Sequence, residues 1–117
     1  MKTLKFGAAA LLLTLGTAFT VLHHGWSNYD QNIVLDYTGT IESSKYENPH
    51  ATARLKDKDK TWTVVLAPTT RMQDRGVTPE MIRAGASVRV VGYPHKQIKD
   101  EMRVERIFID GQKYELR

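Results

Sequence analysis

The sequence contains no cysteine. That absence excludes a disulfide scaffold, a thiolate zinc site, an iron–sulfur cluster and a cysteine nucleophile. It also has no GxGxxG or phosphate-loop signature, and Ser27, Ser43, Ser44 and Ser87 lack a nucleophile-elbow context. No carboxylate pair marks a glycosidase, since Asp36, Glu42, Glu47, Glu80, Asp100, Glu101, Glu105 and Asp110 read as solvated strand faces and turns. The residues therefore offer no catalytic motif, and no enzyme is expected. Internal repeats and low-complexity tracts are missing too. What remains, at 117 residues with 41% hydrophobic and 26% charged, is one compact domain.

The first positive signal is the N-terminus. Lys2 and Lys5 precede an uncharged run from Phe6 to Leu22, the plan of a secretory signal. Gly16 and Ala18 supply the small residues for a cut after Ala18, and Ala18 and Thr20 for a cut after Thr20. Residues 1–18 are thus expected to be a signal peptide, and the mature protein periplasmic or secreted. The alternative is an inner-membrane anchor over residues 6–22, which barely reaches the shortest spanning length of about 17 residues. Gly16 and the threonines Thr14, Thr17 and Thr20 weigh against it. No twin-arginine pair is present, so export proceeds unfolded and any metal is acquired afterwards. Losing Lys2 and Lys5 lowers the formal charge from +4 to +2, so charge implies no nucleic-acid partner.

Residues 19–32 read as an irregular arm and 33–117 as a single β domain. From Ile33 the period is two, with Leu35, Tyr37, Gly39 and Ile41 on one face. A second strand over His50–Lys56 turns Ala51, Ala53 and Leu55 inward, and a third over Thr61–Ala67 turns in Trp62, Val64 and Leu66. The charged segment Asp57-Lys58-Asp59-Lys60 joins them as a hairpin. Thr69–Arg75 reads as a short helical turn closed by Gly76, and Thr78-Pro79 as the start of a helix running to Ala84. A fourth strand covers Ala86–Tyr93, with Pro94 interrupting it. A fifth covers Met102–Ile109, and Lys113–Leu116 returns as a short sixth. Arg103, Glu105 and Arg106 are expected to solubilise the exposed face of the fifth strand. Three strands, a helix and two or three more strands match an all-β, five- to six-stranded OB-like barrel, with Gly39 and Gly92 as bend points. An SH3-like barrel or an open antiparallel sheet is the alternative.

The segments HHGWSNYD, YENPHA, KTWTVVLAP, RGVTPEMIRAGASVRVVGYP and MRVERIFIDGQKYELR together resemble a secreted bacterial family, domain of unknown function 6152. The likeness spans essentially the whole mature chain, and the combination of HHGW with ENPH carries its specificity. The family has no assigned reaction. The resemblance implies export and a small β-rich domain, and it carries over no catalytic residue.

Histidine supplies the leading functional expectation. His23, His24 and His50 are candidate ligands of copper or zinc, for which neutral imidazole is a good donor, with Asp30 or Glu47 as an added oxygen ligand. His95, after Pro94, ranks behind them. A brace built on an N-terminal His23 is disfavoured, because Leu22 stands where a peptidase needs a small residue. The competing reading has His23 and His24 solvated on an arm and His50 packed at a strand start. Trp26, Tyr29, Asn48 and Pro49 form the candidate partner surface. The expected function is a non-enzymatic exported binding or accessory module that takes copper or zinc. Its alternative is a periplasmic protein-interaction or structural module without metal, reaching the membrane only if the N-terminal segment stays attached.

Overall fold

The computed structural model of the protein describes residues 25–117. The expected signal peptide, the alternative anchor, His23 and His24 all lie outside the described residues. Among the described residues no helix is long and apolar enough to cross a membrane.

Six strands follow in order: β1 (Leu35–Lys45), β2 (Thr52–Asp57), β3 (Lys60–Val65), β4 (Ser87–Pro94), β5 (Glu101–Ile109) and β6 (Gln112–Glu115). They pair in the order β3-β2-β1-β4-β5-β6, and a parallel pairing of β3 with β5 closes the first five into a barrel. Closure through that parallel pair is the OB arrangement, and it removes the open-sheet and SH3-like alternatives. The strand β1 holds it together by changing partners at Thr40, from β4 on its N-terminal side to β2 on its C-terminal side. Gly39 sits at that change. A Cβ there would overlap the Lys56 carbonyl, so the close approach of β1 to β2 requires glycine.

The core is the inward face that alternation predicts. Ile41, Ala53, Leu55, Trp62, Val64, Val88, Val90, Met102, Val104, Ile107 and Ile109 are buried in one cluster. In β5, however, the inward parity changes from Met102 and Val104 to Ile107 and Ile109. The β4–β5 register shifts between Val91 and Gly92, where Val91 faces Arg106 and Gly92 faces Val104, leaving Glu105 as an extra residue. This bulge rephases the strand and lets both halves of an otherwise inconsistent pattern point inward.

Between β3 and β4 runs the only α-helix among the described residues, α1 (Thr69–Asp74). Met72 is its buried residue, and Gly76 (φ 89°) ends it, with Gly76 N bonded to Gln73 O and Val77 N to Met72 O. Those two bonds form a Schellman cap, closed by the buried Met72 and Val77. The helix expected from Thr78 to Ala84 is instead a single 3-10 turn, Pro79–Ile82. It stops at Ile82 because Arg83 turns extended (φ −65°, ψ 161°), and Gly85, at a positive φ, then donates its N–H to Ile41 of β1. Only Ile82 of the turn is buried, so one turn suffices to plug the barrel end.

Other boundaries move slightly. Ile33 and Val34 are 49% and 64% exposed and precede β1, which runs on to Lys45. Pro94 closes β4 rather than interrupting it, paired with Met102. The arm is not wholly irregular: Trp26–Asn28 forms a 3-10 turn and Tyr29 bridges to His95. Asp30 N–H donates to Pro94 O (2.8 Å) and Lys96 N–H to Asn28 O (2.9 Å), so backbone bonds dock the arm on the end of β4.

Candidate ligand pocket

The docked arm covers the outward face of β5, where Arg103 sits. Its neighbours across the sheet are Val65 of β3 and Tyr93 of β4. Trp26 lies over this surface, edge-on to Tyr93 at 6.2 Å and in cation–π contact with two guanidinium groups, Arg103 at 4.4 Å and Arg117 at 4.2 Å. Trp26 therefore fastens the arm to the barrel. Beneath it Arg103 is only 4% exposed, although the alternation of β5 places it on the solvent side. The expectation that Arg103 solubilises this strand is thus corrected, because the arm returns over it. Arg106 and Glu105 do stay partly exposed, paired with Glu115 and with Arg117 respectively.

Tyr29, the next anchor of the arm, is 7% exposed and donates its hydroxyl to Glu101 (2.7 Å). Burial, and the carboxylate that accepts its proton, push the phenol well above the usual tyrosine range. His95 packs edge-on against Tyr29 at 5.0 Å. The His95 Nδ1 accepts the N–H groups of Gln97 (3.0 Å) and Ile98 (2.9 Å), so the ring caps its own loop with that nitrogen.

Opposite the arm stands the corner between β1 and β2. The Asn48–Pro49 peptide is cis. Asn48 Oδ1 accepts from Thr69 Oγ1 (2.9 Å), tying the corner to the start of α1, and Tyr46 OH donates to Val77 O (2.6 Å). Leu66 N–H donates to Ala51 O (2.8 Å), so the segment after His50 is stitched to the end of β3. His50 is half-buried. Desolvation first, then the charges of Arg103 and Arg71, hold its imidazole below the ordinary histidine value, so it is neutral at neutral pH.

Arm, corner and β5 converge on one open pocket of about 470 Å³. Its walls include Gly25 and Tyr29 from the arm, Glu47, Asn48, Pro49 and His50 from the corner, and Arg103 from β5, with Lys45, Thr52, Val65 and Asn28 completing the lining. Five sequence candidates, His50, Glu47, Tyr29, Asn48 and Pro49, are thus brought together, whereas Asp30 does not line the pocket; Trp26 stands behind Arg103 as a clamp, and His95 behind Tyr29. Among the described residues no group of three or more His, Asp and Glu side chains is close enough to hold a metal ion.

Arg103 is the residue that sequence reasoning missed. Its Nε has no hydrogen-bond partner among the described residues, and no carboxylate there lies within ion-pair distance of it. Burial, with Arg71 and Arg117 nearby, lowers its pKa, opposed by Tyr29. The one available signal was its setting between Met102 and Val104, and that signal cannot reveal a tryptophan arriving from the arm.

No curated protein is significantly similar to the chain. Among solved structures it is similar to part of a protein in the crystal structure of a complex of TiaS with an isoleucine tRNA and ATP, with a TM-score of 0.51 and 18% identity over 69% of this chain. The likeness spans only 19% of that larger protein and shows the barrel fold alone. The model of a family of unknown function, DUF6152, matches residues 11–102, which take in the later part of the hydrophobic N-terminal run, the paired histidines, the arm and the Asn48-Pro49-His50 corner. A match over well more than half of the chain decides membership: this protein belongs to the DUF6152 family.

Proposed function

We propose that the protein is an exported, non-enzymatic binding module of the periplasm, and that the pocket between arm and corner is its ligand site. The observation that carries this reading is the convergence of three distant segments on one small-molecule-sized cavity, with a buried guanidinium in its wall. The export half rests on the order of Lys2, Lys5 and the uncharged run to Leu22. Intact mass of the exported protein tests how that segment is processed: a chain starting at Phe19 or Val21 supports cleavage and release, and a retained Met1 supports the anchor over residues 6–22 instead. For the site, ligand-induced amide shifts should gather at Lys45, Asn48, His50 and Val65, and shifts confined to Thr78, Glu80, Gly85, Ser87 and Asp110, around the 3-10 turn, would refute it.

Copper or zinc is a second reading of the same site, favoured by one observation. Gly25, which follows His23 and His24 in sequence, lines the pocket together with His50, whose imidazole is neutral and available as a donor. Calorimetric titration with each ion tests it. Binding must weaken on His50→Ala and on His23→Ala, and must fade as imidazoles protonate below about pH 6.5. A protein partner that is captured in the presence of chelator and lost on Trp26→Ala would instead favour the interaction module.

A further inference from the structure

Arg103 is a buried cation with no anion of its own. Among the described residues no carboxylate pairs with it, and its Nε is unsatisfied. Residues 1–24 contain neither Asp nor Glu, so that segment has no side chain that could neutralise it. A guanidinium taken out of water without a counter-charge is unfavourable, and the fold nonetheless pins it in place with Trp26 in cation–π contact with it. The pocket is where a counter-charge has access, because Arg103 lines it.

The rest of the lining specifies that anion. Lys45 and Glu47 are exposed residues of opposite charge that offset each other at the rim, which leaves Arg103 as the one uncompensated cation that lines the pocket, with Arg71 and Arg117 acting on it from outside the lining. Asn48 Oδ1 is engaged by Thr69, so its amide nitrogen is left to donate, and the neutral His50 ring adds an N–H. Tyr29, Pro49 and Val65 give the cavity an apolar side.

We infer that the pocket binds a small monocarboxylate with an apolar body, its carboxylate facing the Arg103 guanidinium beside Lys45 and Asn48. The inference rests on the reading of the pocket as the ligand site. A planar carboxylate matches the guanidinium fork and its single charge, whereas a phosphate dianion would need a second uncompensated cation in the wall.

The experiment is a ¹H–¹⁵N NMR titration of the full chain with sodium benzoate, repeated with inorganic phosphate and with zinc chloride, at fixed ionic strength and neutral pH. Saturable benzoate shifts are expected at Asn48, His50, Val65 and the Arg103 side chain. Arg103→Met should weaken that binding at least tenfold, and the exposed Lys45→Gln, which has no packing role to lose, severalfold. Tighter binding of phosphate at these residues would overturn the carboxylate assignment, as would benzoate binding unchanged by Arg103→Met. Zinc shifts without benzoate shifts would overturn this inference and leave the pocket as the ligand site. Silence of these residues toward all three probes would remove both.

Discussion

At the scale of single residues, the environment of His50 has a measurable consequence. Its pKa is lowered by desolvation and by Arg103 and Arg71, so the unfolded chain binds a proton that the folded chain refuses. Stability from this group is present above about pH 6.5 and is lost as pH falls through the lower folded value. An NMR titration of the His50 ring should give a midpoint below that of a free histidine, and Arg71→Ala should move it upward; an unshifted midpoint would contradict the desolvation of the ring and the positive charges beside it. Tyr29 has the opposite sign. Its raised pKa means that its contribution holds below about pH 10 and declines as pH rises beyond it. Tyr29→Phe removes a hydrogen bond to the Glu101 carboxylate and should cost about 1.5–3 kcal/mol in urea unfolding near neutral pH. A change below a few tenths of that would mean that the arm is not anchored there.

At the scale of elements, the β4–β5 ladder depends on one glycine. A Cβ on Gly92 would overlap the backbone carbonyl of Arg103 and crowd the Val104 Cα, right beside the bulge that rephases β5. Neither is a side-chain end that can swing away, so Gly92→Ala must separate the strands. A loss of about 1–3 kcal/mol is expected, read as a lower urea midpoint. Gly85→Ala, at a positive φ with open space around it, is strained by its backbone alone and should lose less, about 1 kcal/mol. Equal effects would argue that steric closeness at Gly92 is not what fixes the ladder. Gly92 was legible in the sequence as a bend point. The bulge at Glu105 was not, because its signature is an alternation that fails to stay in phase, and a failed alternation does not say where the extra residue sits.

At the scale of the whole molecule, arm and barrel should unfold as one unit. Trp26 reports the arm and Trp62 the core, where it stacks on Tyr37 at 5.2 Å. In a Trp62→Phe variant, fluorescence of Trp26 should unfold in the same transition as the far-ultraviolet circular dichroism, since the arm is held by backbone bonds to β4 and by two cation–π contacts. An earlier fluorescence transition would show an arm that detaches while the barrel stays closed, and with it a pocket that comes apart before the fold does.

The sequence by itself determined the strands, their inward faces, the hairpin between β2 and β3, the family and the expectation of export. Each of these is carried by neighbours one to four positions apart, or by words of a few residues, and the hydrophobic effect makes such a pattern sufficient. Tertiary structure alone decided which outward face is covered. Arg103 stands at a solvent-side position of β5 and is buried only because Trp26 and Tyr29 return across it from the far end of the chain. The corner at Asn48-Pro49-His50 could be proposed from its residues, but its partner in the pocket could not. That partner is set by barrel closure through β3 and β5, a contact between distant segments that no local periodicity encodes.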